Sequence, residues 1–225
     1  MYQHLDLQGH PLPYAVGKVV CVGRSYKEHA QELNNPVPEQ PLLFIKPAAS
    51  LVGLDAPLLL PKGLGAVHHE LEVALLIGRR LCHAEPGHAL DAVVGVGLAL
   101  DLTLREVQEQ LKAKGQPWER AKAFDGSCPV TPFALPEVVN DLQRLDFALS
   151  VNGQQRQAGN TAMMMWSIGE LLAEMSRCFT LNPGDVVLTG TPKGVAELGA
   201  GDELDMQLDG QFHFSARVAG EAHAG

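Results

Sequence analysis

The stretch GAVHHELEVALLIG, Gly65–Gly78, sets two histidines and two glutamates at the head of an otherwise apolar run. Read as a strand, it alternates between faces: His68, Glu70 and Glu72 on one side, Val67, Leu71, Val73 and Leu75 on the other. Two carboxylates side by side on one face repel unless a proton or a cation lies between them, because like charges in a shielded place cannot both ionise cheaply.

The neighbouring segments extend the strand-rich reading. KVVCVG before it and AVVGVGLALD after it read as buried strands, the glycines of the second marking close backbone approach. PLLFIKP and APLLLP are strands bracketed by prolines. SYKEHAQELNNP is a short helix that begins at Ser25 and is stopped by Asn34, Asn35 and Pro36. TLREVQEQLKAKG is the clearest helix, with a capping box from Thr103 to Glu106, an apolar stripe of Leu104, Val107 and Leu111, and a stop at Gly115. DFALSVNGQQRQAG is a hairpin turning at Asn152-Gly153, a second helix covers roughly Met163 to Phe179, and further strands follow with a turn at Asp209-Gly210. The chain reads as mainly β with a few helices, an α+β protein.

With 46% hydrophobic residues in 225 and no internal repeat or linker, one domain over residues 1–225 is expected, residues 1–16 forming an N-terminal extension. A formal charge of -9 with no Lys/Arg cluster excludes a nucleic-acid binder of the usual basic kind. Cys21, Cys82, Cys128 and Cys178 show neither CxxC spacing nor a disulfide framework, so reduced thiols in a cytoplasm are expected. No apolar run reaches the length of a membrane span.

Several residues could carry chemistry. Glu70 and Glu72 can give two oxygen ligands to a hard divalent cation, or form an exposed polar face. Asp101, closing the strand VVGVGLALD, is either a third ligand or a helix cap. His29 and Glu32 share a helical face and can act as a base and its orienter, or as a solvated pair. Lys122 in WERAKAFDGSCP stands among small and apolar neighbours, where a surface lysine is the plain alternative. The turn LTGTPKGV offers hydroxyls and backbone N–H groups that could hold a carboxylate. An HExxH zinc site is absent.

Taken together, KVVCVGRSYKEHAQEL, PLLFIKP, HHELEVALLIG, ALDLTLREVQ, KGQPWERAKAFDGSCPV, VNGQQRQ and VVLTGTPKGV resemble, in order, the fumarylacetoacetate hydrolase superfamily, in its small single-domain branch of acylpyruvases and oxaloacetate decarboxylases. The resemblance implies a mixed β-sandwich roll, a homodimer, and Mg²⁺ or Mn²⁺ held by Glu70, Glu72 and Asp101. It also implies that His29 and Glu32 activate water, that Lys122 polarises the substrate, and that Gln108 and Thr191 position its oxygens. Arg24 and Lys46 match pocket positions, and Arg105 can offset charge on a small anionic 2-oxo acid. The expected activity is metal-dependent C–C cleavage, either acylpyruvate hydrolysis or oxaloacetate decarboxylation. Its rivals are isomerisation or decarboxylation of a hydroxymuconate-type diacid, and a non-catalytic metal-binding member of the fold.

Overall fold

In the computed structural model, which describes residues 2–33, 36–139 and 141–219, the apolar runs pair into a central sheet with smaller sheets around it. In chain order, β1 (Val19–Gly23) leads through helix α1 (Lys27–Glu32) to β2 (Leu42–Lys46) and the short β3 (Leu51–Val52). β4 (Val67–His69) and β5 (Leu71–Ile77) follow, then α2 (Pro86–Ala89), β6 (Val93–Leu100), β7 (Thr103–Leu104), α3 (Arg105–Ala113), α4 (Glu119–Lys122) and β8 (Cys128–Pro129). The chain continues with β9 (Asp146–Val151), β10 (Gln154–Asn160), α5 (Ile168–Cys178), β11 (Val186–Leu188), β12 (Ala196–Glu197), β13 (Glu203–Leu208) and β14 (Phe212–Arg217).

The central sheet has the order β2-β1-β11-β5-β6, with β1 and β11 parallel and the other pairs antiparallel. Each β5 residue is buried because both faces of the sheet are covered. Leu71, Val73, Leu75 and Ile77 meet Phe147, Leu149, Leu204, Met206 and Leu208 of the four-stranded sheet β10-β9-β13-β14 across the main core, which α5 also enters through Ile168, Leu172 and Met175. Ala74 and Leu76 point the other way, onto a smaller cluster with Val19, Cys21, Ala99 and Phe133. Tyr2, Leu12, Tyr14 and Val16 cover that second face. Full burial of each such aliphatic side chain contributes about 1.5–3 kcal/mol. The result is a sandwich of two facing sheets, and the mixed α+β class read from the sequence holds.

Gly97 shows why glycine stands in β6, since a Cβ there would lie 2.7 Å from Thr131 Oγ1 and 3.1 Å from the Pro132 carbonyl. The turn at Asn152-Gly153 takes positive φ at both residues, +53° and +74°, as a two-residue hairpin requires. No helix among the described residues is long and apolar enough to cross a membrane.

Five local expectations are corrected. The single strand read through GAVHHELEVALLIG breaks at Glu70, β4 joining the small sheet β12-β4-β7 and β5 the central one. APLLLP makes only an isolated bridge, Leu58 to Val218. Thr103 caps no helix: it pairs with His68 in β7, and its hydroxyl donates to the Asp101 carbonyl at 3.0 Å. The helix expected from Met163 begins at Ile168, where Ser167 and Glu170 form a reciprocal capping box. α1 begins at Lys27, not Ser25, and the stop assigned to Asn34 and Asn35 lies outside the described residues.

Candidate active site

The register of β5 and β6 builds the acidic floor of the site. Leu71 pairs with Leu100 and Glu72 with Ala99, so Glu70 and Asp101 stand opposite each other one step beyond the ladder, joined by Asp101 N–H to the Glu70 carbonyl at 2.8 Å. Residues opposed across an antiparallel pair share a face, and alternation returns Glu72 to the same face as Glu70. One oxygen from each of Glu70, Glu72 and Asp101 therefore falls within 4.8 Å of the others, and all three residues are buried.

Three cations answer two of these acids, Glu70 and Asp101. Lys122, brought in by α4, donates to Glu70 Oε2 at 2.9 Å, Asp101 Oδ2 at 2.6 Å and Thr103 Oγ1 at 2.7 Å. Arg105, first residue of α3, donates to Glu70 Oε1 and, at 2.7 Å, to Gln108 Oε1. Lys46 lies 2.8 Å from Asp101 Oδ1 as an ion pair without hydrogen-bond alignment, which leaves that buried oxygen unbonded. Burial would raise the Glu70 carboxyl, but Lys122 and Arg105 more than offset it and hold it well below the usual carboxylate range. Among the described residues Glu72 has no ion-pair partner and accepts only from Gly190 N–H, at 2.5 Å. Burial, reinforced by Asp101 and Glu70, pushes its carboxyl well up.

This donor set fits a hard divalent ion. Such an ion takes oxygen ligands, several of them carboxylates, and the three buried acids offer one oxygen each within 4.8 Å of the others. The unbonded Asp101 oxygen and the cation-poor Glu72 are the groups such an ion would satisfy.

Above the floor opens a narrow cleft whose walls include Arg24, His29, Arg105, Gln108, Lys122 and Thr191. His29 is buried on α1, its Nδ1 3.3 Å from Glu32 Oε2, while Glu32 Oε1 accepts from Gly194 N–H at 2.9 Å. Burial lowers the His29 pKa against the pull of Glu70 and Glu32, so the ring is neutral at neutral pH. Burial would also lower Lys122, but Asp101 and Glu70 reverse this and keep it charged. Gln108 spends its oxygen on Arg105, leaving its amide N–H group without a partner among the described residues. Thr191 donates to the Leu71 carbonyl at 2.8 Å and accepts from Gln157 at 2.8 Å, so toward the cleft its hydroxyl can only accept.

Lys46 is the site residue placed differently from expectation. It is fully buried behind the floor, not in the cleft wall, and donates to Ser127 O at 3.0 Å, Ser127 Oγ at 3.1 Å and the Lys122 carbonyl. His69 and His68 separate as alternation requires. His69 Nδ1 bonds Gln157 Oε1 at 2.9 Å inside the protein, and half-buried His68 sits beside Arg105 and Glu70 without lining the cleft.

Sequence reasoning missed Gln157 and Ser127. Gln157 also accepts from Leu71 N–H at 2.9 Å and donates to Pro192 O at 3.0 Å, tying the β4–β5 break to the Thr191 loop. A bulge between Gln155 and Gln157 turns it inward, so strict alternation along β10 could not have found it. The glycine turn LTGTPKGV does hold carboxylates, but they are the protein's own, Glu72 on Gly190 N–H and Glu32 on Gly194 N–H.

Comparison with known proteins agrees with this geometry. The chain is 54% identical over 211 residues to oxaloacetate tautomerase YcgM of Escherichia coli (strain K12), covering 93% of this chain and 96% of the relative. Its fold superposes with a TM-score of 0.94 on a fumarylacetoacetate hydrolase family protein from Yersinia pestis CO92, at 48% identity and covering 96% and 100% of the two chains. It superposes with a TM-score of 0.89 on fumarylpyruvate hydrolase from Pseudomonas aeruginosa in complex with Mn²⁺ and pyruvate, at 35% identity and covering 96% and 94%. The profile of the fumarylacetoacetate (FAA) hydrolase C-terminal family matches residues 18–219. On fold, sequence and the arrangement of its acidic floor, the chain belongs to the fumarylacetoacetate hydrolase family.

Proposed function

We propose that the protein is a divalent-metal-dependent enzyme that moves the C3 proton of small 2-oxo acids, with keto–enol interconversion of oxaloacetate as its reaction. The observation that carries this reading is that His29, backed by Glu32, and Lys122, held by Glu70 and Asp101, line one cleft above the acidic triad, burial lowering the pKa of the first and the acids raising that of the second. Environments that push two titratable groups apart in this way sort them into base and acid. The E. coli relative named oxaloacetate tautomerase supports the choice of substrate.

Glu70, Glu72 and Asp101 would hold Mg²⁺ or Mn²⁺, which would supply Lewis acidity to a bound 2-oxo acid. His29, through the ring nitrogen turned away from Glu32, takes a proton from C3, and the C–H electron pair becomes the C2=C3 bond. Glu32, fixed by Gly194, holds the imidazole tautomer and steadies the imidazolium. The amide of Gln108 donates a hydrogen bond where negative charge grows on oxygen, and the Lys122 ammonium, its N–H groups spent on Glu70, Asp101 and Thr103, steadies that charge through its field. Delivery of the proton from His29 to that oxygen completes the enol.

The His29–Glu32 pair also favours hydrolysis of acylpyruvates, in which it takes its proton from water attacking C4 and pyruvate leaves as its enolate. The P. aeruginosa fumarylpyruvate hydrolase supports this second reading. Decarboxylation of oxaloacetate shares the enolate but needs no activated water. One panel separates these reactions: kcat/KM for oxaloacetate tautomerisation, oxaloacetate decarboxylation, fumarylpyruvate cleavage and isomerisation of a hydroxymuconate-type diacid, each with Mg²⁺ and after chelation. Tautomerisation should dominate and be chelator-sensitive; absence of metal-dependent turnover on every member overturns the reading.

A further inference from the structure

The cations around the cleft are not equivalent. Lys122 is engaged by Glu70 and Asp101, Arg105 by Glu70 and Gln108, and Lys112 by Glu109 at 2.9 Å. Arg24 lines the same cleft, and among the described residues its guanidinium makes no hydrogen bond or ion pair. Glu109 is the acid whose field reaches it, and that carboxylate is occupied by Lys112.

Arg24 is also held in an uncommon backbone conformation, φ +58°, in the left-handed region that disfavours side chains other than Gly and Asn. Such strain persists where the surroundings over-determine it. Before Arg24, β1 ends at Gly23, packed so closely that a Cβ there would lie 3.3 Å from the Trp118 ring. After it, Ser25 is fully buried, its carbonyl accepts from Met165 N–H at 2.9 Å, and it abuts Gly190, where a Cβ would lie 2.5 Å from that of Ser25. Gly190 is the residue whose N–H holds Glu72. One joint thus fixes both the unpaired arginine and a carboxylate of the acidic floor.

We propose that Arg24 is the specificity-determining anchor for the second carboxylate of a four-carbon 2-oxo diacid, so that the enzyme prefers dicarboxylic over monocarboxylic 2-oxo acids of equal length. This rests on the proposed 2-oxo acid reading of the site. A guanidinium offers a planar fork matched to a carboxylate, and its partly shielded place in the cleft strengthens that pairing. The other cleft cations already answer protein carboxylates, which leaves Arg24 to answer a charge that arrives with the ligand.

Binding and turnover test the two ideas separately. Calorimetric titration in Mg²⁺ compares malate, an unreactive four-carbon diacid, with 2-hydroxybutyrate, which lacks the second carboxylate, for the wild type, Arg24→Gln and Arg24→Lys. Circular dichroism confirms that each variant is folded. The wild type should prefer malate, Arg24→Gln should weaken malate about ten- to a hundredfold while leaving 2-hydroxybutyrate unchanged, and Arg24→Lys should recover part of the loss. No diacid preference in the wild type, or the same preference retained in Arg24→Gln, overturns the proposal. In parallel, C3 deuterium exchange on oxaloacetate is followed by NMR. A wild type with intact malate preference but no exchange refutes the catalytic reading and leaves the role of Arg24 standing.

Discussion

Lys46 and Lys122 grip opposite oxygens of one carboxylate: Lys46 approaches Asp101 Oδ1 at 2.8 Å, Lys122 approaches Oδ2 at 2.6 Å, and Lys46 also donates to the main-chain carbonyl of Lys122. The buried lysine thereby holds both the acid and the backbone of the lysine that faces the cleft.

Lys46→Met should accordingly destabilise the fold by about 3–5 kcal/mol, because it strands a buried carboxylate and several carbonyls while keeping most of the side-chain volume. Urea unfolding checks this, and a loss below 1 kcal/mol would show that Asp101 needs no cation behind it.

Glu72 leads to a prediction of opposite sign. Its carboxyl is raised in the folded protein, so the metal-free native state holds that proton more tightly than the unfolded chain does. The stabilising contribution is present below the ordinary carboxylate range and is lost as pH rises toward the folded value. Glu72→Gln removes the unpaired charge, and the metal-free variant should melt about 2–4 °C above wild type at pH 8. The same change should abolish the rise in Tm that Mn²⁺ gives the wild type, a rise that should itself grow with pH. Thermal melts at pH 5.5 and 8, with Mn²⁺ and with chelator, read all of these effects.

His29→Ala should lower kcat about 10²–10⁴-fold with a much smaller change in KM, since the imidazole acts on the proton in flight. Because burial lowers its pKa, the acid limb of kcat/KM in the wild type should fall below the ordinary histidine value of 6.5. Glu32→Gln, which keeps the shape but weakens the pull on the ring, should move that limb further down. An unchanged limb in that variant would remove Glu32 from the proton path.

Gln157→Leu removes an amide that bonds His69, Leu71, Thr191 and Pro192 at once. Stranding several buried polar groups should cost about 2–4 kcal/mol. Amide exchange should quicken at Leu71 before it does in the β9–β13 ladder; uniform quickening would instead mark a general loss of stability.

The legible part of this protein was the part written by local alternation. Period-two patterning placed Glu70 and Glu72 together, and Asn152-Gly153 announced its hairpin, because both depend on neighbours in the chain. Thr103 fits a capping box by spacing, yet its hydroxyl turns to Asp101 and Lys122, partners the local pattern cannot reveal. Lys46 looks like a cleft residue until strand pairing shows its side chain on the far side of Asp101. Lys122 reads as a surface lysine because the acids that justify its burial arrive from strands far off in sequence.

The acidic floor has a consequence for folding itself. β5 and β6 are apolar on both faces, and such strands are prone to pair one residue out of step because either face would accept the core. Here a slip of one position would carry Glu72 away from Gly190 N–H toward the apolar side chains of Phe147, Leu149 and Met206, and would set Leu71 above Lys122. The carboxylates therefore act as alignment marks: the residues that make the site also penalise a hairpin one residue out of step, and a chain stripped of them should lose that safeguard of its central sheet along with its chemistry.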